Sequence, residues 1–213
     1  MTVLATERYS EQVKFWPKQG RHILAQFDDG TIVVYQAYRS AIGRYAAEHG
    51  RFGGDFSLSR MSWIKPNFLW MMYRSAWGTK ENQETTLALR IHREFFDSLL
   101  AAAVPSSWDR DQFASEDDWS RAVSRSSVRL QWDPDHHPTG AKIERRAIQL
   151  GLRGEMLELF ARRELLEVID LSDFVAEQRS RMSSEGVSAL VTPRQRVYRP
   201  ADPIVAARLR LAE

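Results

Sequence analysis

The chain has 213 residues, 43% hydrophobic and 27% charged, with a formal net charge of +2 and no cysteine. That length suits one domain with its own core and leaves room for two small ones. The near-neutral charge excludes a strong global attraction to nucleic acid, and the lack of cysteine excludes disulfides, thiolate catalysis and cysteine-based metal centres.

The first residues carry Glu7, Glu11 and Lys14 instead of an apolar run, so they do not read as a signal peptide. The longest apolar run, Phe68 to Tyr73, is far short of the ~20 residues that a membrane helix needs. The expectation is a soluble, cytoplasmic protein with no membrane partner. Of 30 basic residues only Lys14, Lys18, Lys65, Lys80 and Lys142 are lysines. Arginine forks suit phosphate and carboxylate, although GC-rich coding produces the same bias and is the simpler account.

In chain order, Ile23 to Phe27 and Thr31 to Tyr38 are apolar, β-rich runs joined by Asp28-Asp29-Gly30, a hairpin signal. Ser40 is placed to cap a helix over Ala41 to His49, and Gly50 to end it in a left-handed turn. Phe52 to Leu58 reads as loop and Ser62 to Ile64 as a short strand. Lys65, preceding a proline, should be extended. Pro66 then opens a helix to Trp77 that is apolar nearly all round, and therefore buried, with Gly78 ending it.

Three strand-then-helix units follow: Leu87 to His92 with Arg93 to Ala103, Ala147 to Leu152 with Gly154 to Leu165, and Leu166 to Leu171 with a helix from Ser172 to Met182. Between the first two lie a polar stretch over Pro105 to Arg125, a strand over Val128 to Trp132 and a turn-rich loop over Asp133 to Gly140. The acidic run Glu116-Asp117-Asp118 suits a helix N-terminal turn or a solvated loop. From Ser183 onward three prolines and several arginines suggest a tail running over the surface, with a turn of helix over Ala206 to Leu211. A hairpin combined with strand–helix units predicts α+β architecture: a single domain over 1–198 with a mixed or antiparallel sheet and a buried Trp-rich helix, then an extension over 199–213. No glycine-rich phosphate loop follows any strand.

The segment from Arg60 to Gly78 is the most specific feature. Three Trp, three Met, a Tyr and a Phe surround one Lys and two Arg: Arg60, Lys65 and Arg74. Such a segment is either core with its cations paired or the wall of a pocket for a flat anion. It occurs in order with Thr31-Ile-Val-Val-Tyr-Gln-Ala-Tyr38, Gln131-Trp-Asp-Pro134 and Arg146-Ala-Ile-Gln-Leu-Gly151. On these motifs, spanning Arg21 to Tyr198, the chain resembles a bacterial and fungal family known as domain of unknown function 4291. The resemblance implies identity without a mechanism.

Candidate chemistry is therefore read from residues. Trp70, Arg74 and Trp77 have helical spacing that puts them on one face, with Lys65 near the helix N-terminus, where anions are favoured. Together they suit phosphate binding with an indole stacked on a base; the bland alternative is a buried helix whose Arg74 ties down an acid or carbonyls. Tyr35, Gln36, Tyr38 and Arg39 end a strand entering a helix, and alternation puts Tyr35 opposite Gln36 and Tyr38. A strand ending this way resembles the NAD-binding half of ADP-ribosyltransferases, although no glutamate is placed for the role such enzymes give one. Arg90, His92 and Arg93 close another strand, where His92 suits acid or base work; a solvated sheet face is the plain alternative. Asp133 is a general base or the partner of Arg146 in a bridge, and Gln149 needs a partner if buried. His136-His137 lacks the spaced third ligand of a metal site.

The leading expectation is a nucleotide-recognising group-transfer enzyme, ADP-ribosyltransferase-like in acting with NAD. In it Lys65, Arg74 and Arg146 hold phosphates, Trp70 or Trp77 stacks the base, Tyr38, Arg39 and Gln149 complete the pocket, and Asp133 or His92 handles the proton. No metal is expected. The alternatives are a non-catalytic single-stranded RNA binder and a protein interaction module in which the Trp-rich segment is only core.

Overall fold

The computed structural model describes residues 4–212. Strand β1 (Thr6–Arg8) and the single turn α1 (Tyr9–Gln12) precede β2 (Gly20–Arg21), β3 (Ile23–Ala25), β4 (Thr31–Tyr38) and α2 (Ser40–His49). Then come β5 (Ser62–Ile64), α3 (Phe68–Ser75), β6 (Thr85–His92), α4 (Arg93–Ala102) and β7 (Val104–Pro105). Helix α5 (Glu116–Arg125) leads to the long strands β8 (Val128–His136) and β9 (Lys142–Leu152). Helix α6 (Gly154–Leu159) widens into a π-turn over Phe160–Glu164 before β10 (Leu165–Asp170) and α7 (Ser172–Glu185). Strands β11 (Val191–Pro193) and β12 (Arg196–Tyr198) and helix α8 (Pro203–Arg208) close the chain. The fold class is α+β, with antiparallel and mixed sheets.

Two sheets matter for the site. One is antiparallel, in the order β10-β6-β4. The other is built on the antiparallel pair β8-β9, with β2 parallel to β9, β7 parallel to β8 and β5 antiparallel to β9. They are stitched together by a bridge between Tyr35 of β4 and Lys65: Tyr35 N–H donates to the Lys65 carbonyl at 2.7 Å, and Lys65 N–H to the Tyr35 carbonyl at 3.2 Å. Lys65 therefore sits at the seam.

Strand β4 is apolar on both faces because each covers a different core. Ile32 and Val34 join Leu89, Phe96, Leu99, Leu150 and Phe160 on one side. Val33 and Tyr35 join Phe68, Met72, Trp77 and Val175 on the other. Alternation thus frees Gln36 and Tyr38, at the end of the strand, to face something other than the Tyr35 core. Asp28 Oδ1 accepts the N–H groups of Gly30 at 3.0 Å and Thr31 at 2.7 Å, which fixes the turn before β4.

Four sequence expectations need correction. Helix α3 starts at Phe68 rather than Pro66, because the Asn67 side chain caps it by accepting the Trp70 N–H at 2.9 Å. It ends at Ser75 rather than Trp77, because Ala76 and Trp77 take left-handed φ angles of 48° and 54°. The span from Asp133 is not loop: β8 continues to His136, with a register shift after Pro134 that absorbs the missing proline N–H. The C-terminal tail is not a surface strap. Leu190, Tyr198, Val205 and Leu209 are buried, since β11, β12 and α8 pack on the body. A smaller difference is that Ser40 begins α2 without a side-chain capping bond.

Candidate functional site

Beside the seam lies a cavity of about 1040 Å³. Its walls come from the end of β4 with the following turn, the loop before β5, Lys65, the inner face of α3, the loop before β6, and the facing strands β8 and β9. Sequence motifs far apart in the chain meet here: Gln36, Tyr38 and Arg39; Arg60 to Trp63 and Lys65; Trp70 and Arg74; Gln131, Asp133 and Gln149.

Lys65 is only 6% exposed, yet it lines this cavity and makes no ion pair among the described residues. Its ammonium reaches the Trp63 carbonyl at 3.4 Å, a long contact. Burial, reinforced by the positive charge of Arg74 and opposed by Asp133, pushes its pKa from 10.5 down to about 7. A lysine held near neutrality at the wall of an open polar cavity is a feature of functional sites more often than of cores.

Asp133 is clasped by two glutamine amides. Gln149 Nε2 donates to Oδ2 at 2.7 Å and Gln131 Nε2 to Oδ1 at 3.0 Å. Both glutamines stand directly opposite one another across the β8–β9 ladder, which fixes the carboxylate in one orientation. Above them Gln36 Nε2 donates to Ser62 Oγ at 2.8 Å and to the Trp63 carbonyl at 3.1 Å, while the Tyr38 hydroxyl shares a 2.6 Å bond with Ser62 Oγ. Tyr38, Ser62, Gln36, the Trp63 carbonyl and Lys65 thus form one hydrogen-bonded chain along the wall. Burial raises the Tyr38 phenol well above its ordinary value, so it stays protonated. Two polar atoms of lining residues, Gln36 Oε1 and Trp70 Nε1, are buried without a partner among the described residues.

Arg74 is exposed and has no ion-pair partner among the described residues, and neither has Arg60. At the rim Arg39 pairs with Asp55 at 2.8 Å. Gly151 has no side chain because a Cβ there would lie 2.7 Å from Met61 Sδ and 3.0 Å from the Trp63 ring, so it lets the Met61–Trp63 segment lie against β9.

Behind the cavity α3 is anchored by a buried ion pair. Arg145 Nη2 meets Asp135 Oδ2 at 2.6 Å, and Asn67 Nδ2 donates to that same oxygen at 3.0 Å. Trp70 lies over Tyr73 and His136, with the Tyr73 and His136 rings 3.5 Å apart and nearly parallel. Burial lowers the His136 pKa, against the opposing charge of Asp135, and so favours the neutral imidazole. Among the described residues no three His, Asp or Glu side chains converge as metal ligands.

The cavity brings together Lys65, Arg74, Gln149, Tyr38, Arg39, Trp70 and Asp133. Three predicted site residues lie elsewhere. Trp77 is buried in the Tyr35 core, its indole N–H donating to the Pro138 carbonyl at 3.1 Å, because the left-handed turn at Ala76 swings it off the helix face that carries Arg74. Arg146 is exposed in register with Arg21 of β2, and Asp133 takes its partners from the glutamines instead. His92 pairs with Glu164 at 3.0 Å at the far end of β6: Thr85 stands opposite Tyr38, whereas His92 stands opposite Thr31. Seven residues of strand put it roughly 23 Å away.

Sequence reasoning did not single out Arg60, Ser62, Trp63 or Asn82 as site residues. The first three lay inside or beside the Trp-rich motif and could have been found by its length alone. Trp63 is the better stacking platform, since it is half-buried whereas Trp70 is 4% exposed with its ring already covered. No helix among the described residues is long and apolar enough to cross a membrane.

No curated protein matches the chain. A family model described as "Domain of unknown function (DUF4291)" matches residues 22–198, which takes in all the cavity's walls, and the chain belongs to that family.

Proposed function

We propose that the cavity binds a nucleotide through its phosphates and base and that the protein transfers a group from it, with NAD as the dinucleotide its size suits. The observation that carries this reading is the meeting, around one cavity of about 1040 Å³, of three cations unpaired among the described residues (Lys65, Arg74 and Arg60), an oriented carboxylate and an indole platform. Ligand pockets commonly span about 300–1,000 Å³, so this one is large enough for a dinucleotide. Arg74 offers its fork to phosphate and Lys65 adds charge when an anion raises its pKa. Trp63 stacks the base.

In ADP-ribosyl transfer the bond from ribose carbon to the nicotinamide nitrogen breaks, the nicotinamide leaves, and an acceptor hydroxyl or amine bonds to that carbon. Asp133 takes the acceptor's proton. Its two glutamine donors hold the carboxylate oxygens in place, the positioning a general base requires.

Calorimetric titration with NAD, ADP-ribose, ATP, GTP and a short single-stranded RNA tests the proposal. Tight binding of one nucleotide is expected. Arg74→Ala should weaken it about ten- to hundredfold, the worth of a lost hydrogen bond to a charged group. Asp133→Asn should bind equally and release no nicotinamide from NAD. Unchanged affinity in a folded Arg74→Ala protein overturns the proposal, as does binding of RNA alone with a steep salt dependence.

A further inference from the structure

Lys65 carries more chemistry than phosphate binding needs. A phosphate-holding cation is best served by an exposed, fully charged arginine, and Arg74 and Arg60 already supply that at the same cavity. Lys65 is different. Its backbone is locked on both sides by the Tyr35 bridge, its side chain is buried, and among the described residues its ammonium has no carboxylate within ion-pair distance. Its one bond is the 3.4 Å contact to the Trp63 carbonyl, an arrangement that does little to hold a proton on the nitrogen. Asp133 is close enough to act on it through charge but not to pair with it.

We propose that Lys65 is an amine nucleophile that captures anionic carbonyl compounds, aldehydes or ketones bearing a phosphate, as a Schiff base. This uses the cavity's anion-binding side chains but does not depend on the nucleotide reading. The neutral amine attacks the carbonyl carbon, forming the N–C bond, and the carbonyl oxygen becomes the hydroxyl of a carbinolamine. The amine loses its protons, the hydroxyl leaves as water, and the C=N bond remains. Asp133 moves protons between nitrogen and departing water, and Arg74 holds the phosphate. No oxidant or reductant enters the capture step.

Burial and Arg74 keep the amine's pKa at about 7, so roughly half of it is neutral at pH 7, against less than about one part in a thousand for an ordinary lysine. The other charged side chains lining the cavity are Arg39, Asp55, Arg60 and Asp133; Tyr38 stays a neutral phenol.

The chain's five lysines make the test direct. The full-length protein is treated at pH 7 with limiting pyridoxal 5′-phosphate, reduced with borohydride to trap any imine, and mapped by peptide mass spectrometry. Labelling at Lys65 is expected to exceed that at each of Lys14, Lys18, Lys80 and Lys142 at least tenfold. Arg74→Ala should reduce it severalfold, and pyridoxal without the phosphate should label Lys65 several times less. Lys65→Met, which keeps much of the buried side chain but has no amine, should lose the label while remaining folded by circular dichroism. Even labelling across the five lysines, or sparing of Lys65, overturns the proposal. Equal labelling by pyridoxal overturns its phosphate requirement. Nucleotide titration reads the earlier proposal separately, because trapping without nucleotide binding, or the reverse, separates the two failures.

Discussion

At the scale of single residues the site is decided by what each polar group can pair with. Asp133 has two amide donors and stays oriented; Lys65 has a carbonyl at 3.4 Å and gives up charge instead. That choice has a stability signature. The folded pKa of Lys65 is about 7 against 10.5 when exposed, so between those values the unfolded chain carries a proton that the folded chain lacks. Stability contributed through this group therefore rises with pH from about 7 towards 10, by about 1.4 kcal/mol per pH unit, and the burial penalty is full below 7. Lys65→Met should abolish the dependence. Between pH 7.5 and 9.5 the melting temperature of the wild type is expected to gain about 3–6 °C per pH unit on that of the variant, since each kcal/mol moves a domain of this size by about 2–4 °C. A constant difference across the range would show that Lys65 is charged in the folded protein. The residue types were legible in the sequence: an apolar helix flanked by Lys65 and Arg74 pointed to a pocket wall. Their pairing was not, because the partners of Asp133 lie on two strands whose register no local pattern specifies.

At the scale of elements, periodicity located most helices and strands but not where they stop. Helix α3 illustrates both halves. Its apolar surround predicted burial, and six of its eight residues are buried. Its left-handed exit at Ala76 and Trp77 carries no glycine to announce it, so the spacing of Trp70, Arg74 and Trp77 implied a shared face that the backbone does not provide. Helix α2 shows how packing overrides propensity. Gly43 lies in its interior, where alanine would ordinarily stabilise by roughly 0.5–1 kcal/mol. Here a Cβ would stand 2.4 Å from the Thr85 Cβ, a branched side chain on a buried strand that cannot yield. Gly43→Ala is therefore expected to destabilise by about 1–3 kcal/mol, the usual cost of overpacking. Urea unfolding reads the sign directly, and a stabilised variant would mean that α2 can move away from β6. Such a shift would also disturb Tyr38, which stands opposite Thr85.

At the scale of the whole molecule the chain's last residues are part of the body although the family match stops at 198. Val205 and Leu209 enter the larger core, and Arg208 Nη2 donates to the Leu100 and Ala101 carbonyls at 2.6 and 2.7 Å, satisfying the C-terminus of α4. Leu209→Ala should cost about 2–5 kcal/mol, as for other buried leucines. Truncation after Tyr198 should lower the melting temperature by at least as much. An unchanged midpoint in either protein would return the segment to the role of a surface strap. Proline spacing and arginine content suggested that strap because short segments carry too few apolar residues to show a period, whereas their burial depends on grooves made by elements distant in sequence.

The sequence by itself determined the α+β class, most of the elements, the burial of α3, and the motif around which the site is built. These follow from periodicity and local chemistry, which act over a few residues. Only the tertiary structure decided which cations share a cavity. The Tyr35–Lys65 bridge joins two sheets and sets Lys65 against Asp133. The antiparallel register of β4 with β6 sends His92 to the opposite end of the sheet, and one left-handed turn removes Trp77. Each is a relation between segments tens of residues apart, fixed when the cores on the two faces of β4 pack together and by nothing that either segment carries alone.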